Sequence, residues 1–136
     1  MSLEASAGAG QVVTVELRGG GVAKRPTYLS LDIADGSAEA TYYLVMPHAG
    51  TVTAIRTVTD GAVGTADITI TANIGATPIT NGVVTIATAA SAAGDVDVAS
   101  PTAANTVAAL QPVNLVVTGG GGGGSPRIHV VIELTP

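Results

Sequence analysis

Cysteine, phenylalanine and tryptophan are all missing from this chain, and its only aromatic residues are Tyr28, Tyr42 and Tyr43. Without cysteine there are no disulfides, no zinc–thiolate sites and no thiol chemistry. That absence is silent about redox compartment, since a chain without thiols tolerates either. With so few rings there is little to stack on single-stranded bases or on sugars. Charge is scarce as well: five Lys and Arg against ten Asp and Glu in 136 residues, a formal net charge of −5. The largest basic cluster is Lys24-Arg25, too little to neutralise a phosphate backbone, so no nucleic-acid partner is expected. No run of about 18 apolar residues exists, so no membrane-spanning helix is expected. The first residues carry Glu4 and no basic cluster ahead of an apolar run, so no secretory signal is expected either.

What remains is small and β-branched. Ala (23), Gly (18), Val (18) and Thr (18) fill more than half of the positions, and apolar residues make up 46%. That share is too high for a disordered chain, and the length suits one domain. Strict alternation, the signature of a half-buried strand, is clearest at 66–74, where Ala66, Ile68, Ile70, Ala72 and Ile74 face one way, and at 127–134, where Ile128, Val130, Ile132 and Leu134 do. Shorter alternating runs occur at 12–18, 28–34, 83–88, 95–99 (Val96, Val98) and 113–118. Segment 41–46 is apolar on both faces and reads as a fully covered strand. In 51–59 the phase slips: Arg56 shares the face of Val52, Ala54 and Val58. A bulge near 54–55 repairs it; the alternative is that Arg56 points into a subunit contact.

Turn signals separate the runs at Asp35-Gly36, Ala49-Gly50, Asp60-Gly61, Asn81-Gly82 and Gly94-Asp95. Asn81-Gly82, between two extended runs, has the strongest hairpin chemistry. One short helix is expected near 100–110, with Ser100 as cap, Pro101 at the first helical position and Ala103, Val107 and Leu110 on one face. About nine short strands with Gly- and Pro-rich turns predict an all-β, single-domain β-sandwich over 11–136, a jelly roll first and an immunoglobulin-like sandwich second. Residues 1–10 read as a flexible N-terminal arm, and Gly119–Gly124 as a mobile loop.

Chemistry-bearing patterns are thin. The six glycines are followed by Ser125-Pro126-Arg127 and a strand, not by the Lys, Ser/Thr and helix that a phosphate-binding loop requires. His48 and His129 are the only histidines, and no Gly-x-Ser-x-Gly elbow is present. Asp95 and Asp97 share one strand face, and Asp32 and Asp35 flank another strand end; both pairs read as solvated acids. No catalytic residue, cofactor or metal site is expected, and the chain reads as a non-enzyme. The residues that stand out are contact candidates: Tyr42 and Tyr43, which adjacent strand positions send to opposite faces, and Arg56.

An ordered series of segments carries a resemblance. Tyr42-Tyr43-Leu44-Val45-Met46-Pro47 leads to Ala49-Gly50-Thr51-Val52; then come Thr65-Ala66-Asp67-Ile68-Thr69, Ala93-Gly94-Asp95-Val96 and Pro101-Thr102-Ala103-Ala104-Asn105-Thr106-Val107. Val130-Val131-Ile132-Glu133-Leu134-Thr135-Pro136 closes the chain. Over about 95 residues this series resembles the head decoration, or cement, proteins of tailed bacteriophages. It departs from them at Gln111-Pro112, where such sequences often have Gly-Asp, and the first 39 residues do not contribute. The resemblance implies a jelly-roll or β-sandwich structural protein of the virion, trimeric, seated on the outer capsid surface and bridging copies of the major capsid protein. It brings no catalytic residues. The alternatives are another phage module, in a tail or at the base of a head fibre, and a carbohydrate-binding β-sandwich.

Overall fold

The computed structural model describes residues 25–121 and 126–136. The expected arm at 1–10 and strand at 12–18 lie outside the described residues, as do residues 122–125 of the glycine-rich stretch. Among the described residues there are nine strands and no helix. They are β1 (Thr27–Ile33), β2 (Ala40–Val45), β3 (Gly50–Thr59), β4 (Ile68–Ile74), β5 (Thr77–Ile86), β6 (Val96–Ala99), β7 (Thr106–Val107), β8 (Pro112–Gly119) and β9 (Ile128–Thr135). One sheet has the order β1-β9-β3-β6, with β7 also paired to β3; the other has the order β2-β8-β4-β5. Every pairing is antiparallel. The chain is a β-sandwich.

The alternation explains the layering. Ile128, Val130, Ile132 and Leu134 of β9 face Ile68, Ile70 and Ala72 of β4 and Val113, Leu115 and Val117 of β8 across an interior that is aliphatic throughout. β-branched side chains fit the pleated surface without losing rotamer freedom they would otherwise have. Each buried Val, Ile or Leu contributes about 1.5–3 kcal/mol of transfer free energy. Tyr42 and Leu44 pack half-buried against this core, and Met46 is wholly enclosed.

Four expectations need correction. No helix forms at 100–110, because its backbone groups find partners elsewhere. Thr102 N donates to Thr80 O at 3.1 Å, Thr80 N to Ala103 O at 3.0 Å and Val52 N to Asn105 O at 2.8 Å. The Asn105 side chain returns a bond to Val52 O at 2.8 Å. Ala104 and Leu110 also sit at φ 53° and 64°, outside the right-handed helical region. Second, Asn81-Gly82 is not a hairpin turn but part of a wide bulge inside β5. The register passes from Thr71↔Val83 to Asn73↔Pro78, so five steps on β5 match two on β4. Asn81 takes φ 59° there. The hairpin lies six residues earlier, at Gly75-Ala76, closed by Ile74↔Thr77. Gly75 has φ 63°, which a type II′ turn requires at its first central position.

Third, β2 is not a covered strand. It lies at a sheet edge, paired only to β8, with Tyr43 and Val45 exposed. Fourth, the bulge in β3 falls between Val52 and Ala54, just ahead of the expected place. It inserts Thr53 and turns Ile55 inward, leaving Arg56 on the outer face.

Candidate functional site

The two sheets present different outer faces. On the four-stranded sheet the outward side chains are mainly Thr and Asn, and they bond one another. Thr69 and Thr118 hydroxyls lie 2.6 Å apart. Asn73 Nδ2 donates to Asn114 Oδ1 at 3.0 Å, and Asn114 Nδ2 to Gly75 O at 3.0 Å. Tyr43, 68% exposed, stands at the edge of this sheet with Val45.

The five-stranded sheet is built otherwise. Pairing register arranges its outer side chains in rows. Ser30 is opposite Val131, Val131 opposite Arg56, and Arg56 opposite Val98. Asp32 is opposite His129, His129 opposite Val58, and Val58 opposite Val96. Val96 and Val98 are 58% and 55% exposed, and Val58 and Val131 are half-buried. The result is a patch of four valines around Arg56, the only Lys or Arg within the strands of that sheet. Arg56 has no ion pair or hydrogen bond among the described residues. A cation among apolar side chains, near the Glu133 charge but in no direct ion pair, suits an incoming acceptor group.

The rim of this patch is polar and preorganised. Tyr28, 60% exposed, donates its hydroxyl to Glu133 Oε2 at 3.0 Å. Thr53, the residue inserted by the β3 bulge, donates to Glu133 Oε1 at 2.9 Å and lies 3.1 Å from the Thr135 hydroxyl. These two donors, Thr53 first and then Tyr28, hold the Glu133 carboxyl below its usual range, with help from the nearby Arg56 charge. The same bond and the carboxylate charge hold the Tyr28 phenol above its own. On the opposite rim His129 Nδ1 meets Asp32 Oδ1 at 2.5 Å.

A pH dependence follows from Glu133. Its folded-state value is depressed, so its contribution is complete above the ordinary carboxylate value of 4.5 and is lost as pH falls through the lower folded value. The group is largely solvated, which limits the effect to less than about 1 kcal/mol. Glu133→Gln is expected to melt slightly below the native protein at pH 6, with the gap closing toward pH ~3. A gap that widens on acidification would contradict this assignment.

Of the candidates named from the sequence, the structure separates all three. Tyr42 turns inward onto the core, Tyr43 projects from the edge of the four-stranded sheet, and Arg56 occupies the middle of the other sheet's outer face. Sequence reasoning missed Tyr28 and Glu133, although Tyr28 alternates with Leu29 and Leu31 on the polar phase of β1. It also placed Val96 and Val98 on the inward phase of their strand. In the structure β6 is inverted: the valines face out, and Asp97 turns toward the interior opposite Thr57.

Other arrangements offer less. His48 lies between Thr27 Oγ1 at 2.7 Å and its neighbour's carbonyl, Ala49 O, at 2.9 Å. The second ring nitrogen of His129 meets no hydroxyl among the described residues. No group of three or more His, Cys, Asp or Glu comes together among them. An open cleft of about 350 Å³, lined by Ile74, Thr77, Ala104, Thr106 and Gln111, contains no titratable side chain. Among known proteins, no family model matches the chain and no curated protein matches it significantly.

Proposed function

We propose that this chain is a non-enzymatic structural protein, a capsid decoration protein that binds the outer surface of a bacteriophage head and bridges copies of the major capsid protein. The observation that carries the reading is the ordered series of segments between Tyr42 and Pro136. The fold adds two supports. Its strand orders, β1-β9-β3-β6 and β2-β8-β4-β5, support a jelly-roll reading of the sandwich when β6 and β7 are counted as one interrupted strand, and jelly rolls recur in capsid proteins. The likeness is one of architecture and does not by itself carry function. The second support is the valine patch around Arg56, an exposed apolar surface with a polar rim, which is the anatomy of a contact.

The resemblance implies a trimer, and an oligomer suits a shell that is bound through many symmetric weak contacts. A carbohydrate-binding function fits less well. The two exposed rings, Tyr28 and Tyr43, lie on opposite sheets and cannot form one platform. The test is to mix purified protein with phage heads stripped of decoration and to image them. Regular density on the head surface is the expected result. Density confined to the tail or to fibre bases would replace this reading with that of another virion module.

A further inference from the structure

The inverted strand β6 leaves a chemical problem inside the sandwich. Three buried side-chain oxygens have no hydrogen-bond partner among the described residues: Thr57 Oγ1, Thr88 Oγ1 and Asp97 Oδ2. Thr57 and Asp97 are direct cross-strand partners and both turn inward, so their side chains start about 5 Å apart. Thr57 is only 2% exposed. Thr88 follows β5, which packs against β6. The isolated Thr80–Ala103 bridge is antiparallel, a direction that places Thr88 and Asp95 toward the same end of the two segments. Asp95 alternates onto the same face as Asp97. Its charge adds to the burial that already pushes the Asp97 carboxyl up from its usual range.

Two neighbouring carboxylates and unsatisfied hydroxyls form a set of oxygens alone. Neighbouring hydroxyls on the same inner corner are already used, since Thr59 donates to Ala92 O at 3.1 Å and Ser91 Oγ accepts from Val63 N at 2.8 Å. The hydroxyls also carry protons, but every leftover atom is an oxygen with lone pairs to offer, and a positive centre would accept them while offsetting two negative charges. Hard divalent cations have this preference, and calcium tolerates irregular oxygen shells that magnesium does not. We propose that Asp97, Thr57 and Thr88, with Asp95 at the solvent side, form a calcium-class cation site on the inner side of the β3–β6 edge. With only two carboxylates it is a weak site, of the sub-millimolar to millimolar class.

The experiment is a calcium titration of the full chain, starting in chelator at constant ionic strength, followed by melting temperature and by calorimetric heat. A saturable heat is expected, with a rise in melting temperature of about 3–6 °C at 10 mM calcium and a smaller rise with magnesium. Asp97→Asn is expected to fold, since it removes a buried charge, and to lose the calcium response. Thr57→Val supplies an independent readout. In chelator it melts at or above the native protein because an orphaned hydroxyl is gone, yet it binds calcium about tenfold more weakly. The proposal is overturned by a melting temperature indifferent to calcium, by an equal response in Asp97→Asn, or by a rise that sodium chloride reproduces. An internal water bridging Thr57 and Asp97 would give the first of these.

Discussion

Replacing Gly119 by alanine is expected to destabilise the protein by about 3 kcal/mol or more, a large part of the 5–15 kcal/mol that holds a domain of this kind folded. Two costs add. Gly119 ends β8 with φ 89°, and a left-handed backbone costs an alanine about 1–2 kcal/mol. A Cβ placed there would also lie 2.1 Å from the Asp67 carbonyl oxygen. That neighbour is backbone, so no rotamer change relieves the overlap. Relief requires β8 to move from the start of β4, where Gly119 pairs with Ile68 and Gly120 N donates to Asp67 O at 3.1 Å. Gly61, with nothing near its virtual Cβ, supplies the control. Denaturant unfolding is expected to place Gly61→Ala within about 0.5 kcal/mol of the native protein. Similar values for the two variants would show that the β8–β4 end yields more readily than its geometry implies.

The Gly119 contact could not have been read from the sequence, and the reason is general to this chain. Period-two alternation fixes which face of a strand is buried when the strand is central, because a one-residue slip would expose the whole apolar set. That is why β9, β4 and β8 follow the pattern of their sequences closely. Signals that serve two geometries equally well are ambiguous. Asn81-Gly82 offers the positive φ that a hairpin needs, and a bulge needs the same thing. Residues 100–110 contain the caps and alanines of a helix. The bonds from Thr80 and Val52 and the Asn105 side chain supply partners that local sequence does not announce, and tertiary pairing overrides propensity.

The candidate contact surface was legible only in part. Adjacent tyrosines had to diverge, and Tyr42 and Tyr43 do. The phase slip around Arg56 signalled a bulge, and the bulge both turned Arg56 outward and aimed Thr53 at Glu133. The inversion of β6 was hidden because alternation says which residues share a face, not which face is inside. On a short edge strand few core contacts enforce the answer. Here the structure takes the phase that leaves two valines in solvent and draws a carboxylate inward. In a protein with so little charge, that choice concentrates apolar surface at one place on the outside.

On the decoration reading, that place is where binding is expected to fail. The double substitution Arg56→Glu with Val98→Asp is expected to lower affinity for undecorated heads by at least about 100-fold while leaving the fold intact. Burying one valine contributes roughly 1.5 kcal/mol, and placing a carboxylate there without a partner costs about as much again. Together these exceed the 2.7 kcal/mol that corresponds to 100-fold, before the loss is repeated in each subunit of a multivalent assembly. Reversing Arg56 adds repulsion, because the new acid stands near Glu133 and faces whatever acceptor Arg56 would have met. Both side chains lie on the outer face, away from the aliphatic interior, so the melting temperature is expected to stay within a few degrees of the native value. Thr85→Asp, exposed on the outer face of the four-stranded sheet, is the matched control and is expected to bind normally. If Thr85→Asp were the variant that lost binding, the Thr and Asn ladder would be the docking face. If neither lost it, the contact would have to be made through the sheet edges, where Tyr43 and Val45 of β2 would be the next positions to charge.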